Sequence, residues 1–166
     1  MEKFQESLAE SKRILKIADH IIFITYNVVK DPRLLLSSLK NILTSLTKSM
    51  DSLLQYEHLF KRIPALPESF TSKFALFKDH CVKRYNLSQN YLYLIKDIYT
   101  LISEHKKSSV EFSRKDKFII CSSNYRMKTV GIPQIKEYLA RTKEFNKEIE
   151  EIVSKDGIFS KREKKY

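Results

Sequence analysis

Glycine scarcity constrains this chain more than any other feature of its sequence. The 166 residues contain two glycines, Gly131 and Gly157, where average usage of about 7% would give about twelve. Phosphate-binding loops need closely spaced glycines so that backbone N–H groups can approach the ligand, and tight β-turns need glycine at positive φ. The sequence therefore argues against P-loop NTPases, dinucleotide-binding enzymes, α/β-hydrolases and tightly turned all-β folds, and we expect no nucleotide cofactor.

Apolar residues recur every three or four positions along most of the chain, which is the pattern of helices that pack on one face. Asp31 and Pro32 interrupt this pattern as a cap and a first helical residue, and Asn86 is placed to cap a later helix. The predicted elements are a first helical hairpin over about 3–60, helices over about 69–85 and 86–107, a β-hairpin over about 117–130 and a last helix over about 133–154.

These elements predict a mainly α fold: a single-domain bundle of four to five helices, with a short β-hairpin inserted before the last helix. The hairpin is predicted from two strand-like runs, 117–121 and 126–130, on either side of a polar turn. The domain spans residues 1–158, and residues 159–166 form a basic, disordered tail. The apolar run from Ile21 to Val29 is far shorter than a membrane span, so we interpret it as a buried core segment.

Positive charge is distributed unevenly along the chain, which carries a formal net charge of +11. Residues 1–60 hold eight basic and seven acidic side chains, residues 61–110 nine against four, and residues 111–166 fourteen against nine. The first hairpin is thus almost neutral and very apolar, as expected of a scaffold. The basicity belongs to the rest of the chain, where it favours attraction to polyanions.

The densest basic stretch surrounds the predicted β-hairpin, where aromatic residues alternate with the cations. Lys and Arg neutralise phosphates and aromatic rings stack on unpaired bases, so the pattern predicts a non-enzymatic protein that binds nucleic acid, RNA in preference to DNA. A solvated basic surface, an acidic protein partner, an anionic membrane surface and a homodimer remain open alternatives. The candidate nucleic-acid-binding residues are Lys106, Lys107, Arg114, Lys115, Lys117, Arg126 and Lys128, with Phe112 and Tyr125 as stacking groups.

Arg13 and His20 are separated by six residues on the first predicted helix. This pair resembles the Arg-x4–6-His signature of HEPN-domain ribonucleases, which are small, often dimeric helical bundles that cut RNA without metal. The resemblance implies an acid–base role for His20 and a phosphate-holding role for Arg13, which share one helix face. The structural alternative is an exposed Arg13 and a His20 at a helix–helix contact.

The remaining chemistry-bearing residues predict neither a metal site nor a cofactor. Cys81 and Cys121 form no CxxC motif, so we expect reduced, buried thiols in a cytoplasmic protein. His80, Cys81, His105 and Cys121 fit no zinc spacing. The sequence gives no positive argument for an enzyme.

Overall fold

The computed structural model describes the backbone of residues 2–107, 111–114, 117–121 and 127–163. Side chains are described for residues 2–105, 117, 119 and 128–154. The predicted mainly α bundle with a β-hairpin before its last helix is confirmed. Within the described residues the chain forms five helical rods, two of which contain a short π-helical stretch.

The elements follow one another in the predicted order. The helices are α1 (Lys3–His20), α2 (Tyr26–Val29), α3 (Arg33–Leu59), α4 (Phe70–Leu76), α5 (Lys83–Tyr85), α6 (Gln89–Lys107) and α7 (Ile132–Glu163), and the strands are β1 (Glu111–Arg114), β2 (Lys117–Cys121) and β3 (Met127–Gly131). π-Helical turns at Ile21–Thr25 and Phe77–Val82 join α1 to α2 and α4 to α5. The last helix, α7, continues beyond its predicted end near residue 154. It includes residues 159–163, which the sequence analysis assigns to the tail.

The turn between α2 and α3 forms without glycine. Lys30 adopts the left-handed conformation, with φ at 50°, and donates its N–H to the Tyr26 carbonyl. Asp31 accepts the backbone N–H of Arg33 at 3.0 Å and its guanidinium at 2.7 Å, so its side chain binds the first residue of α3. The helix begins at Arg33, one residue after the predicted first position at Pro32. This tight turn makes α1 and α3 an antiparallel hairpin.

The predicted capping role of Asn86 is wrong. Asn86 is left-handed, with φ at 51°, and ends the helical segment before it. Leu87 then donates its N–H back to the Val82 carbonyl, which is the bonding of a Schellman helix end. The side chain of Ser88 accepts the Asn90 N–H instead, so α6 begins at Gln89.

The predicted β-hairpin consists of β2 and β3, which pair antiparallel from Lys117 opposite Gly131 to Cys121 opposite Met127. A further strand, β1, pairs antiparallel with β2 and gives the sheet order β1-β2-β3. Val130 of β3 is buried, and it belongs to the same apolar cluster as the helices. The sheet is therefore attached to the bundle at the point where the chain enters α7.

The core lies along α3, whose predicted apolar stripe is confirmed. Leu35, Leu39, Ile42, Leu46, Met50, Leu53 and Leu54 are all at most 1% exposed. The interpretation of Ile21–Val29 as a buried segment is wrong for most of its residues. Ile22 and Tyr26 are buried, but Phe23, Ile24 and Val28 are exposed, because a helix at the edge of a bundle buries one face only.

Small polar residues, and not large apolar ones, line much of the contact between α1 and α3. Four serines of α3 face α1 and are fully buried. Three of them lie seven positions apart, the fourth lies between the last two, and Ser11 of α1 lies opposite them. We call this set the serine seam: Ser11, Ser38, Ser45, Ser49 and Ser52.

The serine hydroxyls bind backbone carbonyls across the helix–helix contact. Ser11 donates to the Ser45 carbonyl at 2.7 Å, and Ser45 donates back to the Ser11 carbonyl at 2.9 Å. At the two ends, Ser52 donates to the Phe4 carbonyl at 2.6 Å and Ser38 to the Ala18 carbonyl at 3.2 Å. A short side chain reaches the backbone of another helix only when the two helices approach closely, so these bonds fix both the spacing and the register of the hairpin.

Asn146 connects α7 to the serine seam. Ser49 donates to its side-chain oxygen at 2.5 Å, and its amide donates to the Ser45 hydroxyl at 3.1 Å. Asn146 is 4% exposed, so both ends of a buried amide are satisfied within the protein. The seam therefore positions the third helix of the core as well as the first two.

Candidate functional site

Most of the candidate nucleic-acid-binding side chains lie outside the described part of the structure. Lys106 and Lys107 end α6, and Phe112 and Arg114 belong to β1, but only their backbone is described. Lys115, Tyr125 and Arg126 lie outside the described residues altogether. Their convergence on one surface stays a prediction.

The two hairpin lysines whose side chains are described, Lys117 and Lys128, are both exposed. Lys128 forms an ion pair with Glu104 of α6, with the ammonium nitrogen 3.2 Å from the carboxylate. It also lines a groove of about 270 Å³ between α6, β3 and the start of α7, together with Lys96, Gln134 and Tyr138. Lys128 is therefore partly neutralised, whereas Lys117 has no described ion-pair partner.

Arg13 and His20 both lie exposed on α1. Two nitrogens of the Arg13 guanidinium bind the two carboxylate oxygens of Glu10, at 2.6 and 2.9 Å. Arg13 holds the pKa of the Glu10 carboxyl below its ordinary value through this bidentate bond. A phosphate bound by Arg13 in the manner of the HEPN-domain ribonucleases would have to displace Glu10.

A second basic surface, which the sequence analysis did not single out, lies between α1 and α7. The two helices run antiparallel, since Lys12 contacts Glu150 at 2.5 Å and Asp19 contacts Lys143 at 2.6 Å. Farther along, the Lys136 ammonium lies 5.0 Å from the centre of the Phe23 ring. We call the cations along this contact the lysine row: Lys12, Lys16, Lys136, Lys143 and Lys147.

All members of the lysine row except Lys136 line a groove of about 270 Å³, whose lining also includes Leu15 and Asn146. Two of its lysines are paired with carboxylates, and neither Lys16 nor Lys147 has an ion-pair partner among the described side chains. The sequence does carry a signal for this surface. Lys12 and Lys16 lie four positions apart, as do Lys143 and Lys147, so the members of each pair project from the same helix face.

The most concentrated charge in the described interior surrounds Glu57 near the end of α3. Its carboxylate is completely buried, three side chains donate hydrogen bonds to it, and a fourth, Arg84, forms an ion pair with it at 3.7 Å. We call this group the Glu57 cluster: Glu57, Arg62, His80, Arg84 and Tyr85.

Each oxygen of the Glu57 carboxylate has its own donors. Oε1 accepts from the Tyr85 hydroxyl and from Arg62 at 3.2 Å. Oε2 accepts from His80 at 2.9 Å and lies 3.7 Å from Nε of Arg84. A buried carboxylate is tolerated when its lone pairs are satisfied in this way. Because two of the donors and the ion-pair partner Arg84 come from the segment 80–85, the cluster ties that segment to the end of α3.

Local helix geometry places these donors. Lys61 is left-handed, with φ at 58°, and the Arg62 N–H returns to the Glu57 carbonyl at 2.9 Å, which is a Schellman helix end. That motif usually brings an apolar side chain of the residue after the turn onto the last helical turn, and here it brings the Arg62 guanidinium onto the Glu57 carboxylate. His80 and Arg84 are separated by one helical turn and so face Glu57 together.

The Tyr85 hydroxyl and the nearby Cys81 thiol both have raised pKa values beside the Glu57 carboxylate. Burial, with the hydrogen bond to Glu57 as a second cause, raises the pKa of Tyr85 to about 12, so its hydroxyl remains a donor at neutral pH. Burial and the Glu57 charge raise the pKa of the Cys81 thiol to about 12. Cys81 is free and buried, as predicted, and is protonated at neutral pH, whereas the Cys121 side chain lies outside the described residues.

The sequence does carry a weak signal for Glu57. It falls three and four residues after Leu54 and Leu53, on the apolar stripe of α3, where a carboxylate needs buried partners. The identity of those partners depends on the fold, because His80 and Arg84 are far away in sequence.

Metal-ligating side chains are not grouped in threes anywhere in the part of the chain that the structure describes. Each helix among the described residues is too short or too polar to span a bilayer. Comparisons with protein-family models, with curated proteins and with solved structures found no significant match to this chain.

Proposed function

We propose that this protein binds single-stranded RNA through the lysine row, without catalysing a reaction. The observation that supports the proposal is the exposed pair Lys16 and Lys147, which have no described ion-pair partner and share one helix–helix groove with two further lysines of the row. Along α7, the positions from Lys136 to Lys147 span about 16 Å. A row of ammonium groups of this length extends over several successive phosphates of a nucleic-acid strand.

An aromatic ring in the same surface favours an unpaired strand. Phe23 is 42% exposed and contacts Lys136, so an accessible ring lies within the row of cations. Aromatic faces stack on bases that are not paired, and such bases are the usual targets of proteins that recognise RNA. The hairpin lysines Lys117 and Lys128 lie outside this groove, with Lys128 in the groove between α6, β3 and α7, so their contribution is tested separately.

The test measures binding of a labelled single-stranded RNA of about 16 nucleotides between about 50 and 200 mM salt. We expect a steep log–log salt dependence for the wild-type protein. Replacing Lys16 and Lys147 together by Gln is expected to lower the slope by about 1.4, since each phosphate contact on a single strand contributes about 0.7. These two substitutions break none of the described ion pairs.

The matched control is the double variant Lys40→Gln/Lys78→Gln, which removes the same charge from exposed positions elsewhere. An equal loss in this control would assign the binding to net charge alone. No RNA binding at the lowest salt, or binding of an acidic polypeptide in its place, would contradict the proposal. Lys117→Gln/Lys128→Gln measures the hairpin contribution, and intact RNA on a gel is expected throughout.

A further inference from the structure

The donors of the Glu57 cluster outnumber the acceptors within it. A carboxylate offers about four lone-pair positions, whereas the two guanidinium groups alone carry about ten N–H donors. Arg62 uses one nitrogen for both Glu57 and the Tyr85 hydroxyl, at 3.2 Å each, and Arg84 approaches Glu57 through Nε only. Most N–H groups of both arginines therefore have no acceptor among the described contacts of the cluster.

These spare donors reach the surface of the protein. Glu57 is completely buried, but the side chains of Arg62, His80 and Arg84 are 28%, 27% and 45% exposed. The carboxylate thus lies beneath the three basic groups and orients them, while their outer atoms face solvent. The N–H donors of the three basic side chains therefore lie together at the surface, and the buried Glu57 carboxylate holds them from below.

An aromatic ring also packs against each of the two arginines. The Arg62 guanidinium lies 5.2 Å from the centre of the Phe60 ring, and that of Arg84 lies 5.7 Å from the centre of the Tyr85 ring. Each planar group is therefore fixed between a ring and the Glu57 carboxylate. Donors that are positioned before a ligand arrives lose less conformational entropy on binding.

The charge of the cluster selects the class of ligand. Two arginines against one glutamate leave the cluster with a net positive charge. Guanidinium groups bind phosphate oxygens through paired N–H bonds, and a phosphomonoester carries close to two negative charges at neutral pH. The cluster matches such a group in both charge and donor geometry, whereas the lysine row offers separate point charges.

We propose that Arg62, His80 and Arg84, oriented by the buried Glu57, form a binding site for the phosphate group of a phosphomonoester. The site lies on the segments 57–62 and 80–85, whereas the lysine row lies on α1 and α7. The inference is therefore independent of RNA binding by the row. Arg84 contributes the most exposed guanidinium and Arg62 the more buried one, and Glu57 acts as a positioning residue.

The experiment titrates the intact protein with uridine 5′-monophosphate, uridine and inorganic phosphate, using calorimetry together with NMR of the arginine Nε–H signals. We expect the monophosphate to bind and shift the Arg84 signal, inorganic phosphate to compete with it, and uridine to do neither. Arg84→Gln is expected to weaken monophosphate binding about tenfold or more, as for loss of a charge-assisted hydrogen bond. Arg62, His80 and Tyr85 still satisfy Glu57 in this variant, so the fold is retained.

The matched control is Lys83→Gln, which removes the same charge from the neighbouring exposed residue. It is expected to leave the affinity within about twofold of wild type. Equal binding of uridine and its monophosphate, no binding of the monophosphate, failure of inorganic phosphate to compete, or an equal loss in Lys83→Gln would each overturn the proposal. Thermal melting of both variants confirms that they are folded.

Discussion

Helix α3 buries polar groups in two regions, and their hydrogen-bond partners differ between the two. Along its middle, three hydroxyls of the serine seam donate to carbonyls of α1 at 2.6 to 3.2 Å. At its end, the Glu57 cluster uses a charged carboxylate that binds side chains from a different segment. The seam holds two backbones at a fixed distance, whereas the cluster holds side chains in a fixed orientation.

The difference shows which region can take on a function. A serine donates its single proton to a carbonyl and leaves no donor over, so the seam is closed to ligands. The cluster has more donors than its carboxylate can accept, and those donors reach solvent. Burial of a charge also makes the cluster the more sensitive region, since an unpaired buried charge is far costlier than an unpaired hydroxyl.

The largest expected effect is that of Glu57→Ala. Three basic groups and a tyrosine lose their shared acceptor, so we expect the free energy of unfolding to fall by about 3–5 kcal/mol. Urea denaturation measures it. Glu57→Gln keeps the shape and one carbonyl acceptor and is expected to lose less. A loss below about 1 kcal/mol for Glu57→Ala would place the cluster among ordinary surface ion pairs.

Within the serine seam, size is expected to matter more than hydrogen bonding. Ser45→Val adds bulk where Ser11 and the α1 backbone lie closest, and we expect a loss of about 1–3 kcal/mol in the free energy of unfolding. Ser45→Ala removes the hydroxyl alone and is expected to cost about 1 kcal/mol. The same denaturation measurement compares the two variants. If Val were tolerated as well as Ala, the helices would not be in close contact at this position.

The sequence predicts the helical elements well because the apolar stripe of α3 and the helix boundary at Asp31 and Pro32 are local signals. The β-hairpin is predicted from two local runs of strand-forming residues for the same reason. The serine seam is not predicted, because a periodicity search follows large apolar residues and counts Ser11 as an interruption of the pattern. Serines at seven-residue spacing on α3 were present in the sequence, but only the facing carbonyls of α1 give them a role.

The lysine row and the Glu57 cluster are not predicted from the sequence, because charge density along the sequence differs from charge density in space. The hairpin stretch is dense in sequence, yet Lys128 is paired with Glu104, from another element. The lysine row draws on residues more than a hundred positions apart and is assembled only by the antiparallel packing of α1 and α7. The Glu57 cluster likewise needs α3 and the segment 80–85 to meet.

The smallest expected effect tests the turn that carries Arg62 to Glu57. Lys61 holds φ at 58°, where the Cβ of an L-residue costs about 1–2 kcal/mol. Lys61→Gly removes that cost but increases the freedom of the unfolded chain, so we expect a net gain of up to about 1 kcal/mol in the free energy of unfolding. Asn86→Gly is the matched control at φ 51°, with a smaller gain because asparagine tolerates this region better. A loss in Lys61→Gly would mean that the lysine side chain itself stabilises this end of α3. A gain in Lys61→Gly that exceeds the gain in Asn86→Gly would show that the turn beside the Glu57 cluster carries a backbone cost, whereas the serine seam lies on regular helix and carries none.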